Sequence, residues 1–142
     1  MKILTAFIFL FLAGCGSEDG RDNHGYGWHY DVQGETGLRV RYQPGQPSPG
    51  LPDIEQIYTA VMSCTGIHAT GPLVIFIGLL EGYRGFTYYD TGTIIISTEI
   101  NTREYEMISI LKHEFIHHLL HQSGFSETAN TNHQSNLFID CT

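Results

Sequence analysis

The 142-residue sequence has few charged residues, and bases are the scarcer kind. Lys and Arg number 7 against 15 Asp and Glu, which gives a formal net charge of −8 at pH 7. The basic residues form no run. Nucleic acids and anionic lipid headgroups are bound by clustered positive charge, so this composition excludes the usual surface for both. We therefore expect no nucleic-acid partner.

The sequence also lacks an apolar run of comfortable membrane-spanning length. The longest one, from Ile3 to Leu12, follows Lys2 and ends in small residues, the pattern of a signal peptide. The sequence "LAGC" that ends at Cys15 resembles a bacterial lipobox. That resemblance implies a lipoprotein signal peptide over 1–14 and a lipid on Cys15. The alternative is an ordinary secretory signal in which Cys15 has no role.

A lipid on Cys15 would place the protein on a membrane without a spanning helix. The residues after it are Gly16 and Ser17, with no Asp beside the cysteine. By the same resemblance, Gram-negative lipoproteins of this kind are sorted to the outer membrane. Removal of 1–14 also removes Lys2, so the mature chain has a formal charge of −9. We expect an exported protein, periplasmic or at the cell surface.

Cysteine is scarce, with three residues in the chain. If Cys15 carries a lipid, Cys64 and Cys141 remain as an even pair in an oxidising compartment. A disulfide between them would close a loop of 77 residues. In the chain-entropy model this stabilises the fold by about 4 kcal/mol. The alternative is two free thiols.

Residues 15–37 are rich in Gly and polar residues and predict a flexible tether, which leaves 38–142 as one domain. Hydrophobic periodicity predicts helices and strands within that domain. In chain order we expect a strand at 38–42, a Pro/Gly loop at 43–50, a helix from Pro52 to Cys64 that stops at Gly66, a strand at 72–78 buried on both faces, and a hairpin of 85–89 with 92–98.

The last predicted helix begins at Asn101, with Glu104 three residues later as a capping-box partner, and ends at Gly124. It contains the sequence H-E-x-x-H, formed by His113, Glu114 and His117. Residues four apart lie one turn apart on the same helix face, so both imidazoles can reach a single ion.

These residue types suit amide hydrolysis at zinc, which takes three protein ligands in a catalytic site. His113 and His117 would be two of them, and Glu114 would act as general base by taking a proton from the attacking water. For the third we predict His133, on a loop that can fold back over the site, with Glu127 and His121 as alternatives. His118 lies about 100° round the helix from His117 and points elsewhere.

The sequence "HEFIHH" on a helix preceded by the strand "GTIIIST" resembles the zincin metallopeptidases. The similarity is greatest to small exported bacterial proteins with a minimal zincin-like domain. Their pattern of H-E-x-x-H, a further His, an aromatic and a terminal Cys corresponds here to the motif residues followed by His133, Phe138 and Cys141. The resemblance implies that the strand ahead of the motif helix is a sheet edge that pairs with extended substrate.

Together these observations predict an α+β fold, in which a small antiparallel or mixed sheet packs on a backing helix and the motif helix. The function we expect is that of a zinc-dependent hydrolase, a peptidase of the cell envelope with a peptide or protein substrate. The alternative is a non-catalytic zinc-binding lipoprotein of the envelope. A residue that stabilises the oxyanion is also expected. The candidates before the hairpin turn are Tyr83, Arg84, Tyr88 and Tyr89, and the sequence does not select one.

Overall fold

The computed structural model describes residues 29–30, 33–45, 50–78, 80, 82–98 and 104–142. The predicted signal peptide, the lipidation site at Cys15 and the predicted cap at Asn101 lie outside these residues. None of the helices among them is long and apolar enough to cross a membrane.

Within the described part of the chain, the sheet has five strands in the order β1-β2-β3-β5-β4. Strands β2, β3 and β5 are parallel to one another, whereas β1 and β4 are antiparallel to their neighbours and lie at the two edges. The sheet is therefore mixed. The strands are β1 (His29–Tyr30), β2 (Arg39–Tyr42), β3 (Leu73–Ile77), β4 (Gly85–Tyr88) and β5 (Thr93–Ser97).

Helix α1 connects β2 to β3, which is why these two neighbouring strands run in the same direction. Pro52 lies in its first turn, where the missing N–H costs no hydrogen bond. Gly66 ends the helix in the left-handed conformation (φ +69°), and its N–H donates to the carbonyl of Met62. The described residues form the helices α1 (Leu51–Thr65), α2 (Glu104–Gln122), α3 (Glu127–Thr131) and α4 (Leu137–Asp140).

Both long helices pack on one face of the sheet. Buried side chains alternate along β3 and β5, so that one face of these strands joins the core with Tyr58 of α1 and Phe115 of α2. The rings of Tyr58 and Phe115 meet edge to face with centroids 4.9 Å apart. The opposite face of β3 is only partly covered, so the prediction that 72–78 is buried on both faces is wrong. The sequence "PLVIFI" is apolar at every position, so its pattern does not show whether one or both faces are covered. That depends on whether helices pack on both faces of the sheet.

The predicted elements of the domain are confirmed, with boundaries shifted by one residue except in the motif helix, which is described from Glu104 to Gln122 where Asn101 to Gly124 was predicted. The mixture of a small sheet with helices is compatible with an α+β fold. A second expectation, that the strand ahead of the motif helix is a sheet edge, is also wrong. Strand β5, directly ahead of the motif helix, is internal, and the edge is β4. The reason is the hairpin, since β4 pairs antiparallel with β5 on the side away from β3.

A disulfide joins the end of α1 to the end of the chain. Cys64 is bonded to Cys141, with the two Cα atoms 5.8 Å apart. Cys141 is the residue that follows α4, so this bond fixes the position of the last helix against the first.

Candidate metal centre

The candidate site begins with two histidines on helix α2. His113 and His117 lie one turn apart, and their ring centroids are 4.8 Å from each other. The two Nε2 atoms face each other at 3.2 Å. The i, i+4 spacing therefore directs both imidazoles to the same point in space.

A third histidine reaches that point from the loop after α3. His133 has a positive φ of 53°, a conformation that few residues other than glycine adopt. Its N–H donates to the carbonyl of Asn130 at 3.0 Å, which helps to hold the turn. Its Nε2 lies 3.1 Å from Nε2 of His117 and 3.0 Å from Nε2 of His113. The three ligand atoms therefore form a compact triangle.

Hydrogen bonding among the three rings alone cannot explain this triangle. Each Nε2 of a neutral imidazole is either a donor or an acceptor. Among three mutually facing atoms, at least two are of the same kind, so one contact must oppose two lone pairs or two protons. A cation that accepts a lone pair from each nitrogen removes the conflict. These three residues can therefore hold a metal ion, and they are the one such group of three among the described residues.

The distances between the three Nε2 atoms agree with zinc binding. Zinc–nitrogen bonds of about 2.0–2.1 Å at tetrahedral angles place the nitrogens about 3.3 Å apart. The observed separations of 3.0–3.2 Å are close to this value. A set of three imidazoles suits zinc, copper, iron and nickel, and it disfavours calcium and magnesium, which prefer oxygen.

The ring of His117 is held from behind by Asn130. The Oδ1 atom of this asparagine lies 2.8 Å from Nδ1 of His117, and its Nδ2 donates to the carbonyl of the same histidine at 2.8 Å. Asn130 has no exposed surface. A proton on Nδ1 of His117 satisfies this contact, which leaves Nε2 as a lone-pair donor for a metal.

Burial favours the neutral form of the two imidazoles on α2. It lowers the pKa of His117 to about 4, although the hydrogen bond to Asn130 acts in the opposite direction. Burial also lowers the pKa of His113, and the neighbouring His133 lowers it further. Only the unprotonated form of imidazole binds a metal, so the lowered pKa values of His113 and His117 favour metal binding by these two rings.

Phe138 forms the wall behind the triad. The centroid of its ring lies 5.1 Å from that of His113, 4.6 Å from His117 and 4.7 Å from His133. It belongs to α4, three residues before the disulfide at Cys141. The disulfide to α1 therefore helps to hold the ring of Phe138 against the three imidazoles.

Glu114 lies beside the triad and is buried by strand β4. Its Oε2 accepts a hydrogen bond of 2.6 Å from the hydroxyl of Thr87, which is itself buried. Burial raises the pKa of Glu114 to about 7, while the bond from Thr87 acts against that increase. A carboxyl group with a pKa near neutrality is suited to accept and return a proton.

Gly85 allows β4 to approach this carboxylate. A Cβ at this position would lie 2.8 Å from Cγ2 of Ile110 and 2.9 Å from Cγ of Glu114, closer than such atoms come. The lack of a side chain at Gly85 is therefore what lets the edge strand cover Glu114.

The triad opens into a groove of about 890 Å³ between the edge strand and the end of α2. Glu114 lines the same groove. The groove is lined by Tyr83, Gly85, Phe86, Thr87, Tyr88, Tyr89, Asp90, His113, Glu114, His117, His121, Glu127, Thr131 and His133.

The alternatives for a third ligand lie nearby but outside the cluster. Glu127 and His121 line the groove, and neither belongs to the group of three within the described residues. His121 stacks on Tyr89 instead, with ring centroids 5.1 Å apart. His118 points away, and its Nε2 contacts the carbonyl of Thr70 at 3.0 Å.

The four candidates for an oxyanion residue differ in position. Tyr83, Tyr88 and Tyr89 line the groove, whereas Arg84 is largely exposed and pairs with Glu106 at 3.6 Å. The hydroxyl of Tyr89 lies 3.3 Å from Nδ1 of His117, on the side of that ring away from the triad.

Sequence reasoning missed Asn130, Thr87 and Gly85. Each acts through a contact 13 to 29 residues away along the chain, and none belongs to a motif. The only local signal is for Thr87, a β-branched residue that alternates with the aromatics of its strand.

Comparison with known protein families, with curated proteins and with solved structures finds no match to this chain.

Proposed function

We propose that this protein is a zinc-dependent peptidase of the bacterial cell envelope. The observation that supports it best is the convergence of three Nε2 atoms beside a buried carboxylate, in a groove open to solvent. His113, His117 and His133 would hold the ion, and Glu114 would be the general base. The likeness of "HEFIHH" to the zincins supports the same assignment.

Zinc, when bound, would supply a Lewis acid that makes water more acidic and polarises a carbonyl. The residues of the chain do the rest. Glu114 takes a proton from the attacking water and returns it to the departing amine. Thr87 orients that carboxyl group, and Asn130 fixes the ring of His117.

Strand β4 offers a place for the peptide. It is an edge of the sheet, and within the described part of the chain no strand pairs with its outer side. An extended peptide can add to such an edge through main-chain hydrogen bonds. The groove runs along this strand, so a peptide bound there would pass beside Glu114.

The first test is metal content. The full chain, purified in detergent and dialysed against zinc, should contain about one zinc per molecule by elemental analysis. His133→Ala should lose the metal, and Glu127→Ala, which alters a neighbouring groove residue, should keep it. Absence of bound zinc in the unaltered chain would refute the proposed ligand set.

The second test separates hydrolysis from zinc binding alone. Glu114→Gln keeps the shape of the side chain but cannot accept a proton, so it should retain zinc and lose cleavage of unfolded protein by at least 100-fold. If the unaltered, zinc-loaded chain cleaves neither unfolded proteins nor mixed peptides, the non-catalytic zinc-binding lipoprotein is the function that remains.

The envelope location depends on Cys15. Metabolic labelling with a radioactive fatty acid should mark the wild-type protein, and Cys15→Ser should abolish the label. Labelling that survives this substitution would contradict the proposed lipid anchor, and separation of the two membranes would test the outer-membrane assignment.

A further inference from the structure

Three aromatic rings form an exposed row beside the candidate site. The ring of Tyr83 meets that of Phe86 edge to face at 5.5 Å, and Phe86 meets Tyr88 in the same way at 4.9 Å. Their exposed fractions are 60%, 38% and 44%. Large aromatic side chains rarely remain exposed as a contiguous group without a binding role.

The row belongs to the same groove as the three histidines. Phe86 and Tyr88 alternate with Thr87 along β4, so their side chains lie on the face of the strand opposite to the Thr87 hydroxyl. Thr87 points to Glu114 and the motif helix. Strand β4 therefore has one face toward the candidate catalytic carboxylate and the other covered by aromatic rings.

A peptide added to the outer edge of β4 would have the same alternation. Side chains on one of its faces would point toward the His triad and Glu114. Those on the other face would lie directly opposite or diagonal to Phe86 and Tyr88. Aromatic rings in such cross-strand pairs favour aromatic and β-branched partners. Polar side chains in these positions would leave the rings exposed to water.

We propose that Phe86 and Tyr88, extended by Tyr83, select extended peptides with aromatic or branched apolar side chains at alternate positions. This inference rests on the proposed peptidase function for its biological meaning, but the selection itself is a property of binding. If the peptide forms one cross-strand pair with Phe86 and one with Tyr88, the energies of such pairs predict a binding preference of roughly 2- to 30-fold.

The test uses zinc-loaded Glu114→Gln in the full chain, so that binding is measured without cleavage. Two fluorescein-labelled peptides of equal length and charge are compared by anisotropy, one alternating Ile with Thr and the other alternating Ser with Thr. The Ile peptide should bind 2- to 30-fold more tightly. Equal affinity for the two peptides would overturn the inference.

Variants assign the preference to the rings. Phe86→Thr with Tyr88→Thr preserves residues suited to a strand and should abolish the preference, whereas Phe86→Tyr with Tyr88→Phe should keep it. Tyr105→Ala removes an exposed ring that does not line the groove and should leave the preference unchanged. A preference that survives the double Thr variant would refute the role of these rings.

The two proposals fail in different ways. If the unaltered protein cleaves peptides but Glu114→Gln shows no preference, the peptidase assignment stands and the aromatic row has no selective role. If the preference is present but the unaltered protein cleaves neither peptide nor unfolded protein, the binding inference stands and the hydrolytic function is refuted.

Discussion

The hydroxyl of Thr87 on the edge strand donates a hydrogen bond of 2.6 Å to the carboxylate of Glu114 on the motif helix. Thr87→Val removes the hydroxyl and keeps the shape of the side chain. A buried acceptor then loses a hydrogen-bond partner, at a cost of about 1–3 kcal/mol. Zinc content should be unchanged, and peptide cleavage should fall by about tenfold or more. Thr87→Ser should restore cleavage. Equal rates for the Val variant and the wild type would show that the bond does not orient Glu114.

Asn130 is expected to control metal affinity without touching the metal. Asn130→Ala removes the partner of Nδ1 of His117 and should weaken zinc binding by about 10- to 100-fold, as measured by competition with a fluorescent chelator. Asn136→Ala, an exposed asparagine at the start of α4 whose side chain makes no cap, should bind zinc as the wild type does. Unchanged affinity in the Asn130 variant would contradict the proposed role.

The close approach at Gly85 predicts a defect in catalysis rather than in metal binding. Gly85→Ala places a methyl group against Ile110 and Glu114 and should displace the carboxyl group, with an expected loss of about 100-fold in cleavage and full zinc content. Gly50→Ala is the control, since a Cβ there meets nothing closer than 3.5 Å. Wild-type cleavage by Gly85→Ala would mean that β4 moves away at no cost.

The disulfide should stabilise both the fold and the metal site. Replacement of Cys64 and Cys141 by Ser removes a cross-link over 77 residues and should lower the free energy of unfolding by about 4 kcal/mol in urea titrations without metal. Zinc affinity should fall as well, because Phe138 is then held only by packing. A variant with lower stability but unchanged zinc affinity would show that Phe138 keeps its position without the bond.

The raised pKa of Tyr58 predicts a loss of stability at alkaline pH. Its hydroxyl donates to the carbonyl of Ala69, and burial raises its pKa to about 12 from an ordinary value of 10.0. The unfolded chain releases this proton at lower pH than the folded one, so the stabilisation is complete below pH 10 and is lost between about pH 10 and 12. In urea titrations across this pH range, the free energy of unfolding of Tyr58→Phe should depend less on pH than that of the wild type.

Local patterns predicted the helices and strands of this domain because burial follows the period of each element. The apolar spacing of α1, the stop at Gly66 and the hairpin of β4 and β5 were all visible in the sequence. The position of β5 inside the sheet was not, since pairing between β3 and β5 depends on contacts across 20 residues. The sequence motif identified His113 and His117, and His133 was predicted from the loop beyond the helix, but Asn130 and Phe138, which hold these rings, come from other elements.

All three histidines lie within 20 residues of one another along the chain, two on helix α2 and one on the loop after the short helix α3. A chain that has lost its sheet still has these ligands close together, at a small cost in loop-closure entropy. Zinc would therefore bind the denatured ensemble as well as the native state. A ligand stabilises the native state only by the difference between its binding free energies to the two states. The metal should protect the fold against heat by less than its affinity for the folded protein implies.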